Sequence, residues 1–339
     1  MKLIHGMDRF LLSLQEKKQQ STLKRYAYDL KQFHSWLESI RTPPVSIELP
    51  TNEELYSYYS YLHKGVRYSH NTIRRILSVL KQWLKFMDQE EQVTLLEGYI
   101  QNTLQNRKTD NNPFLSNKEI KNLFSTVVSN RGLTDNQQKY RHLIRGRNEV
   151  IFRLILFYGV TIQELTTLTV DRIHFASNEI VLLSRKGKVR KRTIQPEDRK
   201  KMFEYYMTIP EAVRPGRYDP SPFFIAFDYQ RGTYRWDYDA DAPKGLSEVA
   251  MQKMIRQEIK RAGLSRHHTA QQLRKTYILT ELTKGRNIEE LRKELAFETI
   301  QPIKSVEKQW KEKKSSSAYS HERRAVQCRN DNRSPLFDF

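Results

Sequence analysis

Apolar residues at helical spacing recur through the first hundred positions, and this period limits the fold more than any other feature. The clearest stripe is Ile73, Ile76, Leu77, Leu80, Leu84 and Met87, opened by Ser69-His70-Asn71. A stripe of that kind has to be covered by a core, so its helix is expected to rest on other helices. Two preceding segments supply them. Tyr26, Leu30, Phe33 and Leu37 follow Ser21-Thr22, and Leu55, Tyr58, Tyr59 and Leu62 follow Thr51, which is expected to cap its helix. Pro43-Pro44 and Pro50 separate the two. Residues 1–100 therefore read as a helical domain.

Beyond it the pattern changes. From Asp88 to Asn112 the period loosens, and residues 101–112 read as a linker, polar throughout from Arg107. Ser116-Asn117-Lys118-Glu119 has the form of a capping box, opening a second domain over 113–339. Near Asn148 an apolar helix begins (Val150, Ile151, Leu154, Ile155, Tyr158). Arg172 to Thr193 reads as strands turning at Lys186-Gly187-Lys188, with Ile180, Val181 and Leu182 buried. Helices return over Leu246–Ala262, Ala270–Thr283 and Ile288–Leu295, and the tail from Lys304 is charged. The expected fold is mainly α, with a small antiparallel β-sheet in the C-terminal domain.

Charge indicates the partner. Lys and Arg number 59 against 39 Asp and Glu, a net charge of +20, with a sequence pI of 9.8. Such an excess calls for a polyanion, and the polar face of the third helix (Arg74, Arg75, Lys81, Lys85) is a candidate to meet one. No segment approaches the roughly 20 apolar residues needed to span a bilayer. Met1 to Gln15 does not read as a signal peptide. The lone Cys328 fits a reducing compartment, no Cys/His cluster has metal-ligand spacing, and the glycines form no phosphate loop. The expectation is a soluble cytoplasmic protein that binds nucleic acid without metal, cofactor or membrane.

Taken in order, these landmarks resemble the tyrosine recombinase (phage integrase) family from about residue 8 to 320. Thr22, Tyr26, Asp29-Leu30, Phe33 and Trp36-Leu37, with Thr72, Arg75 and Leu77, resemble its core-binding domain. Pro113-Phe114-Leu115-Ser116 with Glu119-Ile120 is similar to the entry into its catalytic domain. The resemblance implies a two-domain clamp on double-stranded DNA, associated with the nucleoid of a bacterial cell. It also implies metal-free phosphoryl transfer. In that family a tyrosine attacks the DNA phosphate, two arginines and a His or Trp hold the non-bridging oxygens, and a lysine protonates the leaving oxygen. Without a metal, guanidiniums must balance the charge that gathers in the transition state.

Residue by residue the match is incomplete. In Tyr158-Gly159-Val160-Thr161-Ile162-Gln163-Glu164-Leu165, Thr161 stands where the family has its first arginine. A threonine has one hydroxyl proton and neither charge nor fork. Arg147, Arg153 and Arg172 are close enough in sequence to be considered as substitutes. Lys186, in a basic hairpin with Arg185, Lys188, Arg190 and Arg192, matches the lysine. Arg274 matches the second arginine, while Gln271 replaces the usual His and cannot shuttle a proton. The end of the chain allows two registers. Without a gap, Ala296-Phe297 falls on a Gly-His pair and Val306 on the nucleophile. With an insertion after Leu295, Trp310 takes the His/Trp position and Tyr319 the nucleophile.

Two functions follow. One is a degenerate recombinase kept as a sequence-specific repressor, similar to the recombinase-like repressors of SPβ-type Bacillus prophages. The other is an active integrase using Tyr319. The resemblance further implies assembly through a C-terminal segment, for which Leu336-Phe337 and Phe339 are candidates.

Overall fold

The stripe beginning at Ile73 lies on helix α4 (His70–Phe86), where Ile73, Ile76, Leu77, Val79, Leu80, Trp83 and Leu84 are all buried. This computed structural model describes residues 6–41, 49–105, 113–184 and 187–314. It divides into two units, Met1–Asp110 and Asn111–Phe339.

In the first unit α4 packs with α1 (Met7–Ser13), α2 (Gln20–Ile40) and α5 (Glu90–Gln105), and α3 (Asn52–Ser60) packs on α2 and α5. Phe33 of α2 is the centre of an aromatic cluster, with its ring 4.8 Å from Tyr58 and 6.2 Å from Trp83. Thr51 and Glu54 form a reciprocal capping box that starts α3, and Ser69 caps α4 by accepting from the Thr72 N–H. Helix α2 starts at Gln20, without a side-chain cap, so Ser21 and Thr22 lie inside it. The loosened stretch after Asp88 is α5, a helix that continues to Gln105. Its buried side is narrow, marked by Val93 and Leu96, which is why a broad apolar stripe is missing.

The second unit opens with α6 (Asn117–Val128), started by the Ser116–Glu119 capping box, and α7 (Asp135–Lys139). Helix α8 runs Arg141–Tyr158, seven residues longer at its start than its apolar run. The extra turns bury Arg141, Arg147 and Asn148, and buried polar residues give no apolar period. After α9 (Ile162–Thr166), an antiparallel sheet of order β1-β2-β3 is built from Ile173–His174, Glu179–Leu183 and Val189–Thr193. Strand β2 buries Ile180 and Leu182, whereas Val181 faces the other side and is only half-buried, as period 2 requires.

Helix α10 (Pro196–Thr208), two two-residue hairpins, β4-β5 (Phe227–Asp228, Thr233–Tyr234) and β6-β7 (Trp236–Asp237, Ala242–Pro243), and helix α11 (Glu248–Arg261) follow. Then come α12 (Ala270–Thr283) and α13 (Ile288–Glu294). Residues 301–314 form one more helix where the sequence reads as a charged tail. It is held by Ile303 and Val306, both buried with Phe114, Tyr277, Leu291 and Leu295 in a core cluster of their own. No described helix is long and apolar enough to cross a membrane.

Candidate functional site

Helix α8 ends at Gly159, whose φ of +62° turns the chain into α9. A Cβ at this position would lie 2.6 Å from the Tyr277 ring and 2.7 Å from the Leu295 side chain, so only glycine fits. The turn aims the Gly159 carbonyl at two arginines. Arg274 Nε donates to it at 2.8 Å and Arg190 Nη2 at 3.4 Å.

Thr161, two residues on, is the N-cap of α9. Its hydroxyl donates to Glu164 Oε2 at 2.9 Å and accepts from the Glu164 N–H at 3.2 Å. The hydroxyl has one proton, and it is engaged inside the protein. Glu164 in turn is held by both sides of the Arg190 fork, Nε to Oε1 at 2.6 Å and Nη2 to Oε2 at 2.9 Å. Both side chains are about 5% exposed or less. Burial opposes the charge on Glu164, but the hydrogen bonds and charge of Arg190 win and hold its carboxyl below the ordinary glutamate range.

Thr161, Gln271 and Arg274 line one open cleft of about 590 Å³, together with Gln163, Glu248, Gln252 and Arg256. Arg274 is half-buried and also donates to the Leu295 carbonyl at 3.3 Å. Burial draws its pKa down to about 10 against the pull of Glu164, so it is still charged at neutral pH. Its guanidinium lies 4.6 Å from the centre of the Phe297 ring, a cation–π contact. Ala296, just before, has a φ of +54°, a conformation that favours glycine. Gln271 is exposed at the first turn of α12.

Other expected site residues lie elsewhere. Trp310 packs edge-on against Phe114, with ring centres 6.1 Å apart, and does not line the cleft. Val306 is 1% exposed in the core. Arg190 is the buried partner of Glu164, so its expected place on the DNA-facing hairpin is corrected: a guanidinium held by two carboxylate oxygens and the Glu294 carbonyl is not presented to a ligand. Arg192 is likewise turned inward, paired with Glu294 and donating to the Tyr277 hydroxyl at 2.9 Å. Arg75 pairs with the fully buried Asp29, which ties its guanidinium to the core of the first unit. Lys81 is paired with Glu97 at 3.1 Å, Arg74 is half-buried, and Lys188 is exposed. Arg147, Arg153 and Arg172 do not line the cleft. Arg147 donates to the Ile225 carbonyl, and Arg153 is paired with Glu149 and Asp198. Arg185, Lys186, Tyr319 and the apolar end of the tail lie outside the described residues.

The cleft also contains a residue that the sequence reading passed over. Arg256 is exposed and lines it one turn beyond Gln252 and two beyond Glu248. The i, i+4, i+8 spacing of these three polar residues was the available signal.

Comparison with known proteins agrees with this architecture. Residues 7–91 match the family model described as the phage integrase N-terminal SAM-like domain. No curated protein matches the chain. Among solved structures it is similar to the Tn1549 transposon integrase in complex with a circular intermediate DNA (TM-score 0.64, 14% identity, covering 90% of this chain and 95% of that one). It is also similar to the XerH site-specific recombinase bound to palindromic difH substrate in a post-cleavage complex (TM-score 0.58, 18% identity, covering 84% of this chain and 75% of that one). The fold is therefore the two-domain fold of the tyrosine recombinases, with a phage-integrase SAM-like domain at its N-terminal end.

Proposed function

We propose that this chain is a sequence-specific double-stranded-DNA-binding protein that has given up recombination and acts as a transcriptional repressor of a phage or mobile element. One observation carries the reading. Where a recombinase of this fold would need its first arginine, Thr161 has its hydroxyl committed to Glu164, and a neighbouring guanidinium, Arg190, is locked onto the same carboxylate. Binding a ground-state phosphate loses little when one guanidinium is missing. Cleavage loses much, because the extra charge develops only in the transition state. One such donor is worth about a hundredfold or more in rate.

Phe297 adds to this. Its ring on Arg274, with Ala296 in a glycine-like conformation, supports the ungapped register, in which an apolar ring replaces a proton donor and Val306 replaces the nucleophile. The DNA complexes of the structural neighbours, together with the net charge of +20, support DNA as the partner. Arg74, Lys81 and Lys188 are then the candidates for backbone contacts, with Arg274 in the cleft and Arg185 and Lys186 on the hairpin.

A second reading has its own observation. Arg256 offers a guanidinium in the same cleft as Arg274, the arrangement an active recombinase using Tyr319 would require. A nicked suicide substrate containing the protein's own site separates the two. The expected result is a salt-sensitive, sequence-dependent gel shift with no covalent adduct. An adduct abolished by Tyr319→Phe would overturn the repressor reading.

A further inference from the structure

The opposite face of α11 borders a second cavity, of about 750 Å³, which has no part in the cleft around Arg274. Its floor holds three guanidiniums and a single carboxylate. Arg141 Nη1 is paired with Glu258 Oε1 at 2.8 Å, and Arg261 Nη1 is bonded to Glu258 Oε2. Arg147 reaches the same carboxylate through Asn148, whose Nδ2 donates to Glu258 Oε1 at 3.0 Å. Arg141, Arg147 and Glu258 are each 4% exposed or less, and the Arg261 side chain is 8% exposed.

Carbonyl groups satisfy several of the remaining N–H donors: Ile225 for Arg147, and Arg131 and Ser129 for Arg261. They satisfy hydrogen bonding but carry no net charge. Arg141 Nε has no hydrogen-bond partner among the described residues. Among the described residues, three charges against one leave two positive charges buried without a counter-ion, and an uncompensated buried charge is costly. Burial and the neighbouring Arg141 both lower the Arg261 pKa, outweighing Glu258.

The rim repeats the sign. Lys253 and Lys260 stand exposed two turns apart on one side of α11, with no ion-pair partner among the described residues. Arg235 and Lys244 border the mouth from the hairpin side, where each is already paired with an aspartate, Asp228 and Asp237.

We propose that this cavity is an anion site for a phosphate ester carrying at least two negative charges, held by the buried Arg141, Arg147 and Arg261 and admitted past Lys253 and Lys260. Guanidinium groups suit phosphate oxygens, and Arg141 Nε is the donor still without a partner. The phosphate belongs either to a small phosphorylated effector or to the backbone of bound DNA. The inference does not depend on the repressor reading, since it concerns a different face of α11.

Calorimetric titration of the full chain with inorganic pyrophosphate tests it, alongside thermal melts in pyrophosphate and in chloride of matched ionic strength. Saturable binding and a raised melting temperature specific to pyrophosphate are expected. The surface variant Lys253→Ala/Lys260→Ala should keep its fold and weaken binding about tenfold. Competition with duplex DNA identifies the source. Displacement assigns the phosphate to the DNA backbone, and simultaneous binding assigns it to a free effector. No binding, equal stabilisation by chloride, or an unchanged affinity in the double variant would overturn the proposal.

Discussion

Two buried arginine groups are treated in opposite ways. On one side, beside the cleft lined by Arg274 and Arg256, the cation is neutralised. Arg190 and Glu164 form a bidentate buried pair whose spare donors go to the carbonyls of Gly159 and Glu294. On the other, Arg141, Arg147 and Arg261 share Glu258 and stay two charges in excess. Basic residues in a +20 chain are therefore not interchangeable. What a guanidinium can do for a ligand depends on how many carboxylates already hold it.

Removing each carboxylate is the strongest way to test this contrast. Glu258→Gln leaves three buried guanidiniums with no counter-charge and is expected to cost about 3–5 kcal/mol in urea unfolding, partly restored by pyrophosphate. Glu164→Gln is expected to cost a similar or slightly smaller amount, about 3 kcal/mol, with no rescue. Rescue of both variants, or of neither, would break the comparison. The Glu164 pair also predicts a pH dependence. Its folded-state pKa lies below the ordinary 4.5, so its stabilisation is complete above that value. The contribution is lost as pH falls through the lower folded-state value, and Glu164→Gln should flatten the acid limb of the stability profile.

Gly159→Ala is next in size. A left-handed alanine costs about 1–2 kcal/mol before its Cβ meets Tyr277 and Leu295, so a loss of at least that much is expected in thermal melts. Thr161→Ala should cost about 1 kcal/mol as a lost helix cap and leave DNA affinity unchanged, because the hydroxyl is bound to Glu164. A marked fall in affinity on filter binding would place Thr161 on the ligand instead. The smallest effect separates two neighbours on α4. Arg74→Ala should weaken DNA binding severalfold, worth about 1 kcal/mol or less, without changing stability, whereas Arg75→Ala should destabilise the first unit by abandoning the buried Asp29.

Much of the scaffold was legible because it follows local rules. The stripes of α2, α3 and α4 and the capping boxes at Thr51 and Ser116 depend only on residues within a few positions. So does the alternation of β2, although Val181 is turned from the core. The illegible parts are those whose apolar face is narrow or whose buried residues are polar. Helix α5, the first turns of α8 and the helix over residues 301–314 are of this kind. At the site, sequence brought Thr161, Gln271 and Arg274 together by resemblance, and the cleft does contain all three. It did not show that Arg75, Arg190 and Arg192 are each held in an ion pair, since an arginine in an ion pair and one facing solvent are spelled alike.

By itself the sequence determined a mainly helical chain with a small antiparallel sheet and a strong positive charge. Periodicity, composition and spacing are properties of neighbouring residues, and they need no knowledge of what the chain meets after folding. Tertiary structure alone decided that Arg190 is neutralised by Glu164, and that Arg141, Arg147 and Arg261 converge on one carboxylate. These partners lie between 3 and 117 residues apart in the chain. Whether a charge is buried, and beside what, is fixed only when distant segments pack.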